Sequence, residues 1–198
     1  MAPLDPAFYL EQDVEAAATK LLGKGLFTRK NGVLTGGIIT EAEAYSGRDD
    51  KACHAYNGRL TARNRTMYMT GGAAYVYLCY GVHWMLNVVT NREGVADAVL
   101  IRAVEPIVGT EAMMLRRGLR FVEPRLTAGP GALTRALGVE RSDDGKSFWS
   151  SELFIADLGI SGFPIARSKR IGVDYAGDDA FLERRFFIAD NPFVSRRG

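Results

Sequence analysis

The chain has 198 residues, 47% of them hydrophobic and 24% charged, a size and balance that suit one soluble globular domain and exclude a disordered or collagen-like chain. A formal net charge of +2 assigns no partner by itself, and two cysteines, Cys53 and Cys79, are too few for a disulfide framework. No apolar run approaches the ~20 residues of a membrane span, and the first residues carry no secretory pattern, so a reducing cytoplasm with two free thiols is the expected setting.

In chain order, residues 14–22 read as a helix, Ala-rich, with Asp13 as N-cap and Gly23 at its stop. A hairpin follows: Leu26-Phe27-Thr28, a turn at Asn31-Gly32 and a long strand from Val33 to about Ala44. Residues 46–65 form a polar stretch of about 20 residues, long enough to suggest a binding loop. Strands over 74–79 and 85–90 flank the turn residues Tyr80-Gly81, and a buried strand over 98–104 stops before Glu105-Pro106. Helices are expected over 110–119 and from Gly129-Pro130 to Leu137, the latter ended by Gly138. The last third carries strands near 153–155, 164–171 and 185–188. Hairpins dominate the connections and no repeat is visible, so residues 1–198 are expected to form one mixed α+β domain with a curved, largely antiparallel sheet flanked by helices.

Two constellations carry chemistry. In Glu41-Ala42-Glu43-Ala44-Tyr45, strand alternation puts Glu41, Glu43 and Tyr45 on one face; this suits an acid/base site beside an aromatic platform or, equally, a solvated strand end. Periodicity does not choose between the two carboxylates. The second is a stretch from Lys51 through Arg92 without Asp or Glu, in which arginines alternate with Tyr56, Tyr68, Tyr75, Tyr77, Tyr80 and Trp84. Cations hold a phosphate backbone and aromatics stack on bases, so this mixture suits nucleic acid; plain core packing of the strand aromatics is the competing reading. His54, His83, Cys53 and Cys79 lack the paired spacing of a zinc site, and phosphate-loop and dinucleotide fingerprints are absent. Neither metal nor cofactor is expected.

Four blocks then resemble one family: Glu41-Ala42-Glu43-Ala44-Tyr45 leading to His54; Arg63-Asn64-Arg65-Thr66-Met67; Tyr75-Val76-Tyr77-Leu78-Cys79-Tyr80-Gly81 followed by Asn87; and Leu100-Ile101-Arg102-Ala103-Val104-Glu105-Pro106. Ala128-Gly129-Pro130, Arg170-Ile171-Gly172-Val173 and Ala176-Gly177 continue the pattern in order and spacing. The chain resembles the alkyladenine (3-methyladenine) DNA glycosylases of eukaryotic-type fold, also found in bacteria. The resemblance implies Glu43 as general base and Arg102 as the arginine holding the attacking water. It places Tyr45, His54 and Tyr77 around an extruded base, and Asn87 where its amide crowds normal guanine. Tyr80 would enter the minor groove from a protruding hairpin, and Arg59, Arg63, Arg65 and Met67 would face DNA. His83 and Trp84 depart from the family's pattern, which has tyrosine and phenylalanine there.

On this resemblance the expected activity is hydrolysis of the N-glycosidic bond of alkylated or deaminated purines in double-stranded DNA, by a monomer, leaving an abasic site. Arg102 is expected to favour the charged form of Glu43. No lysine falls in the expected pocket, which points away from a Schiff-base lyase step. Two rival functions, a non-catalytic nucleic-acid module and a nucleoside hydrolase, leave the Glu43/Arg102 pair or the acid-free arginine block without a purpose.

Overall fold

A computed structural model describes residues 1–195. Its first helix, α1 (Val14–Leu21), starts where Asp13 accepts hydrogen bonds from the Glu15 and Ala16 amides, satisfying two donors that a helix start leaves open. The hairpin of β1 (Gly25–Lys30) and β2 (Val33–Tyr45) closes in register Lys30 to Val33. Asn31 and Gly32 both take positive φ, 51° and 79°, the backbone that a two-residue hairpin turn demands.

A second hairpin joins β3 (Ala74–Cys79) to β4 (His83–Thr90), which pairs with β5 (Asp97–Val108). Helices α2 (Thr110–Arg117) and α3 (Pro130–Leu137) follow, each ended by a left-handed glycine, Gly118 and Gly138. Strands β6 (Leu153–Ala156), β7 (Ile165–Ser168) and β8 (Arg185–Ile188) complete the sheet. The eight strands form one antiparallel sheet in the order β3-β4-β5-β2-β1-β6, with β8 bridging β2 and β7. This is the mixed α+β, antiparallel domain that the hairpin-rich sequence implied.

Strand β2 is the spine. Along one edge it pairs with β5, and along the other first with β1 and then, at Glu41–Glu43, with β8. Both faces are covered. Ala42, Ala44, Val76, Leu86, Val88, Val99 and Ile101 point to a core shared with Val14, Leu21, Met113 and Leu133 of the helices. Burial of both faces explains why the strands read as nearly continuous apolar runs.

Three boundaries differ from expectation. β5 runs on through Pro106 to Val108, because the ladder slips by a residue between Gly36 and Gly37 opposite it; an irregularity of this kind accommodates a residue with no N–H. The expected helix to Leu119 ends at Arg117, where Gly118 caps it. The expected strand over 164–171 shortens to Ile165–Ser168.

Candidate active site

The face of the sheet opposite the helices carries the polar residues. Period-2 alternation in β2 sends Glu41, Glu43 and Tyr45 there, in β3 Tyr75 and Tyr77, in β4 Asn87, and in β5 Leu100 and Arg102, while their neighbours fill the core. Over this face lies residues 46–65, which are not a loose loop. Ala52, Cys53, Ala55 and Asn64 are buried, and Asp50 is fully buried against Arg170. The Asn64 amide donates to the carbonyls of His54 and Arg59 at 2.9 and 2.8 Å. Side chains therefore supply the order that secondary structure does not.

Between sheet and loop is a cavity of about 590 Å³, within the range of small-ligand sites. All four residues expected around the base, Tyr45, His54, Tyr77 and Asn87, line it, together with Arg102. No lysine is among the lining residues. The Asn87 amide donates to the Tyr75 carbonyl at 3.0 Å, which fixes its orientation. His54 Nδ1 lies 2.9 Å from the Tyr75 hydroxyl, and its ring meets Tyr77 edge-on with centroids 4.6 Å apart. Burial, helped by the nearby Arg63 cation, pushes the His54 imidazole down to about 4, so it is neutral at pH 7.

The structure distinguishes the two carboxylates that alternation left equivalent. Both are fully buried. Glu41 is saturated: Arg102 Nε and Arg185 Nε each donate to its Oε1 at 2.7 Å, and Ser195 donates from its amide at 2.6 Å and its hydroxyl at 2.9 Å. Burial pushes its carboxyl up, but Arg102, the Ser195 amide and Arg185 outweigh that and hold it below the ordinary range.

Glu43 is held more lightly. The Ile171 amide donates to Oε1 at 2.8 Å, the Tyr45 hydroxyl to Oε2 at 2.8 Å, and Arg102 Nη1 to Oε2 at 3.2 Å. Tyr45, Arg102 and Ile171 are all walls of the cavity, so the Glu43 carboxylate sits one layer behind its surface. Its carboxyl is raised: burial dominates, and Arg102 does not cancel it. Arg102 does favour the charged form of Glu43, as expected, but it is shared with Glu41 and burial outweighs it.

Among the residues expected to face DNA, Arg59, Arg63 and Arg65 are exposed. Only Arg63 of the three borders the cavity, with its guanidinium 5.2 Å from the Tyr77 ring centroid and Nη2 donating to the Leu78 carbonyl at 3.0 Å. Met67 is different. It is 2% exposed, packs with Cys53, Ala55 and Tyr75, and lines the inner wall of the cavity instead of facing outward. Its 3-10 turn (Arg65–Tyr68) exposes Arg65 and buries the next two residues, Thr66 and Met67, which a linear motif does not reveal.

Tyr80 stands at the tip of the β3–β4 hairpin, 92% exposed and at φ +50°. A bulky side chain in left-handed backbone is uncommon and strained. The departures at 83 and 84 sit at the hairpin base. A Cβ at Gly131 would come within 2.6 Å of the His83 ring, so the glycine permits His83 to pack on the start of α3. Trp84 is partly buried against the main core, and its carbonyl accepts from Thr134. Both anchor the hairpin to α3.

Sequence reasoning missed several residues. Arg185 and Ser195 lie more than 140 positions from Glu41, and no local signal ties them to it. Arg170 stacks its guanidinium 4.7 Å from the Tyr45 ring centroid while it pairs with Asp50; it belonged to a recognised block but had no role. Tyr175 also borders the cavity and donates to the Ala52 carbonyl at 3.1 Å. Among the described residues, no cluster of His, Cys, Asp and Glu is placed to hold a metal ion, and no helix is long and apolar enough to cross a membrane.

Comparison with known proteins shows the family. The family model for methylpurine-DNA glycosylase matches residues 7–192. A Chlamydia pneumoniae protein named "Putative 3-methyladenine DNA glycosylase" is 46% identical over 187 residues, covering 94% of this chain and 95% of its own. Proteins of the same name from Alkaliphilus oremlandii and Bacillus cereus are 40% and 42% identical, covering 98% and 97% of this chain and 99% and 98% of their own.

Proposed function

The chain belongs to the methylpurine-DNA glycosylase family, and we propose that it hydrolyses the N-glycosidic bond of alkylated purines, 3-methyladenine and 7-methylguanine among them, in double-stranded DNA. A base inside a duplex is out of reach, so the nucleotide must be extruded, at a cost of a few kcal/mol that damage reduces. The exposed ring of Tyr80 fills the gap and restores stacking, while Arg59, Arg63 and Arg65 meet the phosphates. The purine enters between Tyr45, His54 and Tyr77, with the Asn87 amide crowding the exocyclic amino group of normal guanine; 7-methylguanine carries the same group and is excised because its cationic base leaves readily.

The observation that carries this reading is Glu43: a buried carboxylate with a raised affinity for protons, immediately behind an aromatic-walled cavity. Burial raises the proton affinity of Glu43 and so makes it a stronger base, while Arg102, the Ile171 amide and the Tyr45 hydroxyl favour its charged form. The Tyr45 hydroxyl yields Oε2 to a water molecule. Glu43 takes that water's proton, the oxygen bonds to the sugar carbon C1′, and the carbon–nitrogen bond breaks through an oxocarbenium-like state. A purine alkylated at N3 or N7 carries positive charge and leaves as a neutral base, so no general acid is needed. His54, being neutral, adds no repulsion to a cationic lesion. Without a lysine in the cavity wall the product is a plain abasic site.

Single-turnover release of free base from duplexes carrying 3-methyladenine or 7-methylguanine tests this. Wild type releases base, and Glu43→Gln binds the same duplex but releases at least about a hundredfold more slowly. Full excision by Glu43→Gln would sink the mechanism, and binding without release by wild type would make the protein a recognition module.

A further inference from the structure

We propose that Glu41 and Ser195 are positioning residues for excision, which together hold the Arg102 guanidinium so that Nη1 is presented to Glu43. The inference rests on reading Glu43 as the base and goes beyond it, because neither residue borders the cavity. A guanidinium is planar and rigid, so fixing two of its nitrogens fixes the third. Glu41 Oε1 accepts from Arg102 Nε at 2.7 Å, and the Ser195 hydroxyl accepts from Nη2 at 3.3 Å. That same hydroxyl donates to Glu41 Oε1 at 2.9 Å, closing a ring of three groups around the edge of Arg102 away from Glu43. Nη1 is left 3.2 Å from Glu43 Oε2.

Anchoring of Glu41 makes the ring stiff. Arg185 donates to it from β8 and the Ser195 amide from the chain beyond β8, while Phe193 is tied to β2 through the Thr40 hydroxyl at 2.7 Å. The segment after β8 thus closes against the same strand that carries Glu43. A bridge needed only for folding is already complete between Glu41 and Arg185; the second arginine and the serine bring the network to the cavity wall.

The ring also has an electrostatic consequence. Charged and titratable groups reach Glu43 from every side: Glu41 and Tyr45 on β2, Arg102 on β5, Arg185 paired beside it on β8, and Arg170, itself bound to Asp50, from the segment after β7. By sharing the Arg102 guanidinium and adding its own charge, Glu41 keeps Glu43 more basic than Arg102 alone would allow.

The test uses the full chain and a duplex carrying 7-methylguanine, whose excision needs no added proton. Ser195→Ala is expected to slow single-turnover release about tenfold with duplex affinity unchanged, as expected when a group is misaligned without being removed, and Ser195→Thr restores the rate. Glu41→Gln is expected to move the acidic limb of the pH–rate profile to lower pH by about one unit, since Arg102 then serves Glu43 alone. A wild-type rate in Ser195→Ala, or an unmoved limb in folded Glu41→Gln, overturns the proposal. If Glu41→Gln fails to fold, the Ser195 pair decides. Wild-type excision by Glu43→Gln in the same assay overturns the reading of Glu43 instead, so the two failures are distinguishable.

Discussion

On the helical face of the sheet, Ala42, Ala44, Val76, Leu86 and Ile101 meet Val14, Leu21, Met113 and Leu133 in one apolar core. One residue further along the same strands, on the other face, Glu41, Glu43, Tyr77, Asn87 and Arg102 surround a cavity or stand directly behind it. The first face gains its stability from area removed from water. The second buries two carboxylates and must neutralise them with arginines and amide donors, since an unpaired buried charge is far more costly than a paired one. The strand period of two separates the tasks, so a single-residue slip of β2 would exchange them.

The difference is sharpened by breaking each face in turn. The largest effect is expected from Arg102→Leu, which among the described residues strips Glu43 of its only ion-pair partner and Glu41 of one of two. Loss of about 3–5 kcal/mol in urea unfolding is expected, together with loss of excision. On the helical face, Leu133→Ala should cost about 2–5 kcal/mol through its cavity, yet leave single-turnover excision per folded molecule unchanged. A slowed chemical step in folded Leu133→Ala would break the separation of the faces.

The hairpin tip belongs to neither face. Tyr80→Ala is expected to weaken binding to a lesion duplex by about 1–3 kcal/mol, the value of one stacked base, while thermal stability stays level, because the ring it removes is 92% exposed and alanine keeps the Cβ at φ +50°. Binding titrations and a melting curve on one preparation read both.

The smallest effect concerns His54, whose folded value of about 4 lies below the ordinary 6.5. Between those values the unfolded chain takes up a proton that the folded protein refuses. Stability is therefore complete above about pH 6.5 and falls as pH drops towards 4, by roughly 1–2 kcal/mol at pH 5. His54→Asn should flatten that part of the stability–pH curve, which urea titrations across pH 5–7 will show.

Much of this was legible because it is local. Alternation in Glu41-Ala42-Glu43-Ala44-Tyr45 placed both acids and the tyrosine on one face, and Asn31-Gly32 and Tyr80-Gly81 marked the hairpins. What escaped is non-local. The choice between Glu41 and Glu43 depends on Arg185 and Ser195, which reach Glu41 only after β8 has docked beside β2. Residues 46–65 read as an open polar loop because their order comes from Asp50 meeting Arg170, 120 residues away. The strand through Pro106 was cut short because its accommodation lies in the partner, at Gly36 and Gly37. Met67 was placed with the DNA-facing residues by the resemblance of its block, whereas its own turn points it inward.

A crystal structure of Glu43→Gln bound to a duplex carrying 7-methylguanine tests the central claim most directly. The account predicts the lesion extruded between Tyr45, His54 and Tyr77, its C1′ facing position 43, and Tyr80 seated in the vacated stack. A lesion still paired within the duplex, with the cavity empty and Tyr80 outside the groove, would contradict it.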